Sequence, residues 1–182
     1  KSDLFAVLIE RCGNMTVKGG YTAMITQHAW MFLSSFEKLR KRLLKKNVII
    51  NMAHLGARAF EEISGEVVQT TSFVFCKTAL DSYIGKYVRL VDATSQDEKE
   101  FVFLNNEHQF AANQNSFSLI PGAPIAYWVS KALLNCFKSK KALDASYYFR
   151  EGIHTGSNDT FLRFWFEVDN NLLVFNASSY EE

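Results

Sequence analysis

Two apolar runs joined by a single polar loop constrain this chain more than any other feature. Residues 48–52 (Val-Ile-Ile-Asn-Met) and 67–76 (Val-Val-Gln-Thr-Thr-Ser-Phe-Val-Phe-Cys) are short and rich in β-branched and aromatic side chains. Both therefore read as buried strands. A loop joins them, not a crossover helix, so the strands are predicted to be antiparallel, at one edge of a sheet. The loop holds Gly56, Gly65, Glu61, Glu62, Glu66 and one isolated aromatic, Phe60. A lone ring in a polar loop belongs to neither strand's buried face. Either it packs under its own loop or it is offered to a flat ligand.

The flanking sequence extends the pattern. Leu4, Phe5, Leu8, Ile9 and Cys12 fall on one helical stripe, with Ser2 or Asp3 as its expected cap. Gly19-Gly20 ends that helix and turns the chain into a short buried strand at 21–26. Ser34 or Ser35 is the expected cap of a second helix, with a stripe of Phe36, Leu39, Leu43 and Leu44. Helix, strand, helix, strand, strand is half of a doubly wound α/β sheet.

The texture changes after Asp81. Residues 86–92 read as a strand, and Thr94 or Ser95 as the cap of a helix with Asp97 and Glu98 in its first turn. The polar segment 105–118 reads as a loop. Pro124 stands where a proline opens a helix, and Ile125, Trp128, Val129, Ala132, Leu133, Cys136 and Phe137 form the expected stripe. Ser157 or Asn158 is the expected cap of a short aromatic helix through Trp165.

Charge and cysteine content restrict the function classes. A net charge of +1 does not announce a nucleic-acid binder. One segment is locally basic, with Lys38, Arg40, Lys41, Arg42, Lys45 and Lys46 close together. It reads either as a solvated helix face or as a phosphate-facing helix. Cys12, Cys76 and Cys136 show no paired spacing, which favours a reducing cytoplasm over a disulfide framework. No apolar run approaches a membrane span. The histidines His28, His54, His108 and His154 lack metal-ligand spacing. No serine sits on a nucleophile elbow, and Gly19-Gly20 precedes a strand, not the helix of a phosphate loop.

Four pieces of sequence carry a family resemblance. They are 3–11 (Asp-Leu-Phe-Ala-Val-Leu-Ile-Glu-Arg), 20–31 (Gly-Tyr-Thr-Ala-Met-Ile-Thr-Gln-His-Ala-Trp-Met), 54–60 (His-Leu-Gly-Ala-Arg-Ala-Phe) and 152–163 (Gly-Ile-His-Thr-Gly-Ser-Asn-Asp-Thr-Phe-Leu-Arg). In this order and with these gaps the chain resembles the adenine-specific DNA methyltransferases. It is most similar to the PglX-type enzymes of BREX (phage-growth-limitation) defence systems and their restriction-enzyme relatives.

The resemblance implies a fold and a division of labour. Residues 1–80 would be the second half of a Rossmann-like methyltransferase sheet with an antiparallel edge pair. Residues 81–182 would be a connector and the start of an α+β target-recognition region. Phe60 would lie against an adenine swung out of the duplex. Leu8 would either be helix core or wall the pocket for the adenine of S-adenosylmethionine. Lys41, Lys45, His154, Thr155, Asn158 and Arg163 would approach double-stranded DNA. Other defence-system subunits are further expected partners, and no membrane is.

The resemblance also marks what this sequence lacks. It contains no Asn-Pro-Pro-Tyr catalytic loop, since neither Pro121 nor Pro124 has those neighbours. The glycine-rich cofactor turn and the acidic ribose ligand are missing as well. The chain is thus expected to start just after the catalytic loop of something longer. It should hold no catalytic residue and no metal, and be inactive alone. Two competing readings remain: a non-catalytic DNA-binding or protein-interaction module, and a restriction-modification subunit completed by another chain.

Overall fold

The computed structural model describes residues 3–60 and 68–138, together with Leu162, Phe164, 167–169 and Asn171. It divides into two compact units, Lys1–Lys140 and Lys141–Glu182. In the second unit the Phe164 N–H donates to the Glu167 carboxylate, 2.9 Å away.

Helix α1 spans Leu4–Met15. It buries Ala6 and Ile9 and half-buries Phe5, while Leu4 and Leu8 face solvent. The buried stripe is therefore rotated from the one expected, because Ala6 takes part in place of Leu4 and Leu8. Asp3 caps the helix through its backbone and makes no side-chain cap bond. Lys77 closes the other end, its Nζ donating to the carbonyls of Gly13 at 2.8 Å and Thr16 at 2.5 Å. Gly19 then turns the chain at a φ of 77°, as its expected role requires.

The sheet has five strands, β1 Tyr21–Gln27, β2 Val48–Gly56, β3 Thr70–Cys76, β4 Ile84–Arg89 and β5 Gln109–Asn113, in the order β1-β3-β2-β4-β5. Strand β3 runs antiparallel to both β1 and β2, so β1 and β2 are parallel to each other with β3 between them. Strand β4 is parallel to β2, and β5 antiparallel to β4. The expected antiparallel pairing of β2 and β3 is present. It lies inside the sheet, flanked by β1 and β4, and not at its edge. The edge strands are β1 and β5, and β1 is mostly open to solvent with only Thr26 buried. Its apolar run mimicked a central strand, but Tyr21 and Ile25 are exposed.

Two elements differ from the sequence reading. Residues 105–118 contain β5 and a 3-10 turn, Gln114–Leu119, in place of a loop. The polar residues there are hydrogen-bonding parts of the fold. Gln114 accepts from the Ile49 amide and donates to the carbonyls of Leu44 and Asn47, fixing the entry to β2. Pro124 opens no helix. Helix α4 begins only at Lys131 and ends at Lys138. Ile125, Ala126 and Tyr127 are buried in succession, which a one-faced helix does not allow, and the Ile125 amide donates to Met31 O.

Two further helices flank the sheet in sequence. Ser34–Phe36 is a 3-10 turn, and α2 follows as Glu37–Lys46 without a serine side-chain cap. Of the expected stripe, Phe36, Leu39 and Leu43 are buried and Leu44 is half-buried. Helix α3, Gln96–Leu104, is capped by Ser95 Oγ, which accepts from the Glu98 amide at 3.1 Å. Glu98 answers by accepting from the Thr94 amide at 2.6 Å. The core joins Ile9, Trp30, Leu39, Met52, Phe73, Tyr87 and Ile125 across these elements. It runs across residue 80, and β4 and β5 belong to the same sheet as β1–β3.

Candidate functional site

Three parallel strands end together. The carboxyl ends of β1, β2 and β4 lie on one side of the sheet, at Gln27, Gly56 and Arg89. In open α/β sheets this is where ligands bind. The chain leaves β2 there through Gly56, at a φ of 70°. A side chain at Gly56 would meet the Val91 backbone at 3.0 Å, so this exit needs glycine on both counts. Four residues later comes Phe60.

Phe60 is 40% exposed and outside the buried core. Its ring makes none of the aromatic contacts among the described residues. Ala59 beside it lines an open groove of about 380 Å³ with Ile25, Ala53, Leu55, Ser72 and Phe103. Leu8 is 44% exposed on α1. Lys41 and Lys45 border a separate groove of about 420 Å³ with Asn115, Ser118 and Gly122, and Lys41 is ion-paired to Glu37 at 2.6 Å. Arg40, in the middle of the basic run, is neither solvated nor phosphate-facing: it is 1% exposed and donates to backbone carbonyls. His154, Thr155, Asn158 and Arg163 lie outside the described residues.

At the same carboxyl ends the fold assembles a cluster that spacing did not reveal. His28, just after β1, places Nδ1 2.8 Å from Nε2 of His54. His54 Nδ1 lies 3.2 Å from the Tyr127 hydroxyl. Phe32, Tyr127 and Trp128 surround the His54 ring, with centroids 5.5 to 6.4 Å away. The Arg89 guanidinium sits 5.2 Å from the Trp128 ring centre. Burial pushes His54 down to about 3, and the nearby charges of His28, Arg89 and Lys99 act in the same direction. Burial also lowers His28 and raises Tyr127. Both rings are therefore neutral near pH 7. One signal was in the sequence. His54 shares its strand face with Met52, and a polar ring on a buried face requires a partner.

No group of histidine, cysteine and carboxylate side chains suited to a metal occurs among the described residues. Among them, too, no helix is long and apolar enough to cross a membrane. The three cysteines are unpaired.

Residues 1–60 match the family model of the Eco57I restriction-modification methylases. The whole chain is 49% identical to an adenine-specific methyltransferase PglX of Lacticaseibacillus casei, covering 16% of that protein. Over 94% of its length it is 44% identical to the adenine-specific methyltransferase BrxX of Escherichia coli, covering 14% of it. Among solved structures, a type I restriction-modification methyltransferase subunit from Streptococcus thermophilus aligns with a TM-score of 0.45 and 14% identity, over 69% of this chain and 30% of that one. The chain spans about one sixth of the length of the curated relatives it matches, and over that span it is similar to the PglX-type adenine-specific methyltransferases.

Proposed function

We propose that this chain is the base-holding part of a DNA methyltransferase that acts on the exocyclic amine of an extruded adenine. The observation that carries the reading is Phe60: an exposed ring, outside the core, on the loop at the carboxyl ends of β1, β2 and β4. An adenine taken out of its stack loses two apolar contacts, and an exposed aromatic face replaces one of them. Lys41 and Lys45, with the segment 152–163, would supply phosphate contacts to double-stranded DNA.

S-adenosylmethionine supplies an electrophilic methyl group to such enzymes. The residues present do not make a site for it. Exposed Leu8 offers one apolar wall, but the sequence has neither the glycine-rich turn nor the acidic ribose ligand. The chain by itself is therefore assigned no transfer step. It should bind the cofactor negligibly and leave DNA unmethylated, because transfer requires donor and acceptor held in attack geometry. In the complete enzyme the methyl group would pass directly to the amine, with no covalent enzyme intermediate.

The test is a replacement. The matching segment of the Lacticaseibacillus casei relative is exchanged for this chain, and label from the methyl donor is followed into adenine-containing DNA. Retained methylation, with none from the isolated chain, is the expected result. Calorimetric heat on adding the cofactor to the isolated chain, or label transfer by it, would overturn the division of roles.

A further inference from the structure

His28 is bonded to both stems of the loop that carries Phe60. Its backbone N–H donates to Gln69 O at 2.9 Å, on the stem that enters β3. Its ring meets His54, on the stem that leaves β2, at 2.8 Å. Thr71 adds a second side-chain tie between the strands, its hydroxyl donating to Ala53 O at 3.2 Å beside the β2–β3 ladder. The electrostatics favour one direction for the bonds. The Arg89 guanidinium sits over the ring of the neighbouring Trp128, 5.2 Å from its centre, and a cation there favours the phenol oxygen's lone pairs on its own side and the Tyr127 proton toward His54. His54 Nδ1 then accepts, and a neutral imidazole has one donor left, at Nε2. That donor points at His28 Nδ1, which must accept.

We infer that His28 and His54 are positioning residues for Phe60: a neutral pair in one fixed tautomer ties the strand entering the loop to the strand leaving it. This rests on the reading of Phe60 as the base-holding ring. The clamp sets where that ring is presented. It uses no charge, so it works beside a polyanion without attracting phosphate in place of the base. A proton on His28 Nδ1 removes the acceptor. The chain of bonds then has to reverse, which leaves the Tyr127 proton directed toward the Arg89 charge.

The loop contains a natural reporter, the Arg58–Ala59 peptide bond. Trypsin is added to the 182-residue chain at pH 8 and cleavage at Arg58 is timed. His28→Phe keeps the ring but loses the acceptor, and cleavage should quicken roughly five- to tenfold, the loss of about one hydrogen bond. His28→Asn places Oδ1 where Nδ1 stands, and it should restore the slower rate. Equal rates for wild type and His28→Phe, at matched melting temperatures, would overturn the clamp. Equal acceleration in both variants would overturn the acceptor role. Nitrogen NMR of the wild-type histidines keeps the inference testable if the variants do not fold. A protonated Nε2 and bare Nδ1 on His54 at pH 7 support it, and the opposite tautomer sinks it. No DNA enters these measurements, so a Phe60 that fails to hold adenine leaves their outcome unchanged.

Discussion

The Arg40 guanidinium donates twice to the Gly122 carbonyl, from Nη2 at 2.7 Å and from Nε at 3.2 Å. Its remaining nitrogen, Nη1, donates to Trp30 O at 2.9 Å and Leu33 O at 2.6 Å. One buried side chain thus joins α2 to the turn after β1 and to the turn before Tyr127. Lys99 does the same on a smaller scale, donating to Leu90 O at 2.7 Å and Ala93 O at 2.6 Å. These cations are buried against carbonyl dipoles, not carboxylates.

Arg40→Met should therefore be costly. It leaves the carbonyls of Gly122 and Trp30 without this donor and that of Leu33 with the Phe36 amide alone, and each buried group left unpaired costs ~1–3 kcal/mol. Partial relaxation brings the expected loss to roughly 2–4 kcal/mol in urea unfolding. Arg40→Lys should recover only part of it, because a point ammonium cannot fan across three separated oxygens as a planar fork does. A change below about 0.5 kcal/mol for Arg40→Met, the range typical of surface positions, would show that water replaces the clamp.

Acid should weaken the fold through His54. Its folded pKa of about 3 lies below the 6.5 of the free side chain, so the unfolded chain binds more protons between those values. The stabilisation is fully present above pH 6.5 and is lost as the pH falls. The slope is about 1.4 kcal/mol per pH unit for one such group. Asp92 is the one nearby charge that opposes the shift. Melting curves at pH 7.5 and 4.5 measure the effect, and His54→Phe should flatten it. An unchanged slope in that variant would assign the acid sensitivity to other groups.

The sequence displayed the fold more clearly than the site, for a physical reason. Strands and helices announce themselves through local periodicity, and β2, β3, α2 and the capped α3 follow it. The family resemblance likewise came from short linear motifs. What was not legible depends on chain segments far apart. His28, His54 and Tyr127 meet only after the sheet forms. The same holds for Arg40, whose place in a basic run conceals its burial against Gly122. Pro124 misled because an apolar spacing that suits a helix also suits an extended segment buried on all sides.

DNA contact by α2 should be weak and dependent on salt. Of its cations, Arg40 is buried, Lys41 pairs with Glu37 at 2.6 Å, and Arg42 pairs with Glu10 at 2.7 Å. Exposed pairs of this kind are worth little and are screened. Lys38, Lys41, Lys45 and Lys46 are exposed, enough for a few phosphates, with a correspondingly shallow salt slope. Fluorescence anisotropy with a labelled duplex at 50 and 200 mM salt measures it. Reversing Lys41 and Lys45 to glutamate should weaken what binding the helix supplies, and unaltered binding would argue against a role for α2.

Phe60 is the residue on which the functional reading turns. At 40% exposed, it has less buried apolar area to lose on truncation than a core phenylalanine. Phe60→Ala should cost far less than the ~3–5 kcal/mol of a buried phenylalanine. If its ring holds the extruded base, the same change should weaken that hold by roughly 1–3 kcal/mol. The two effects separate cleanly. The melting temperature is read on the 182-residue chain. Base extrusion is read by 2-aminopurine fluorescence at the target position, in the Lacticaseibacillus casei relative carrying this chain as its matching segment. A normal melt with a reduced extrusion signal and slower methylation is the expected pair. A sharply lowered melt with extrusion and methylation intact would make Phe60 a plug for its own loop, and the base would have to be held elsewhere.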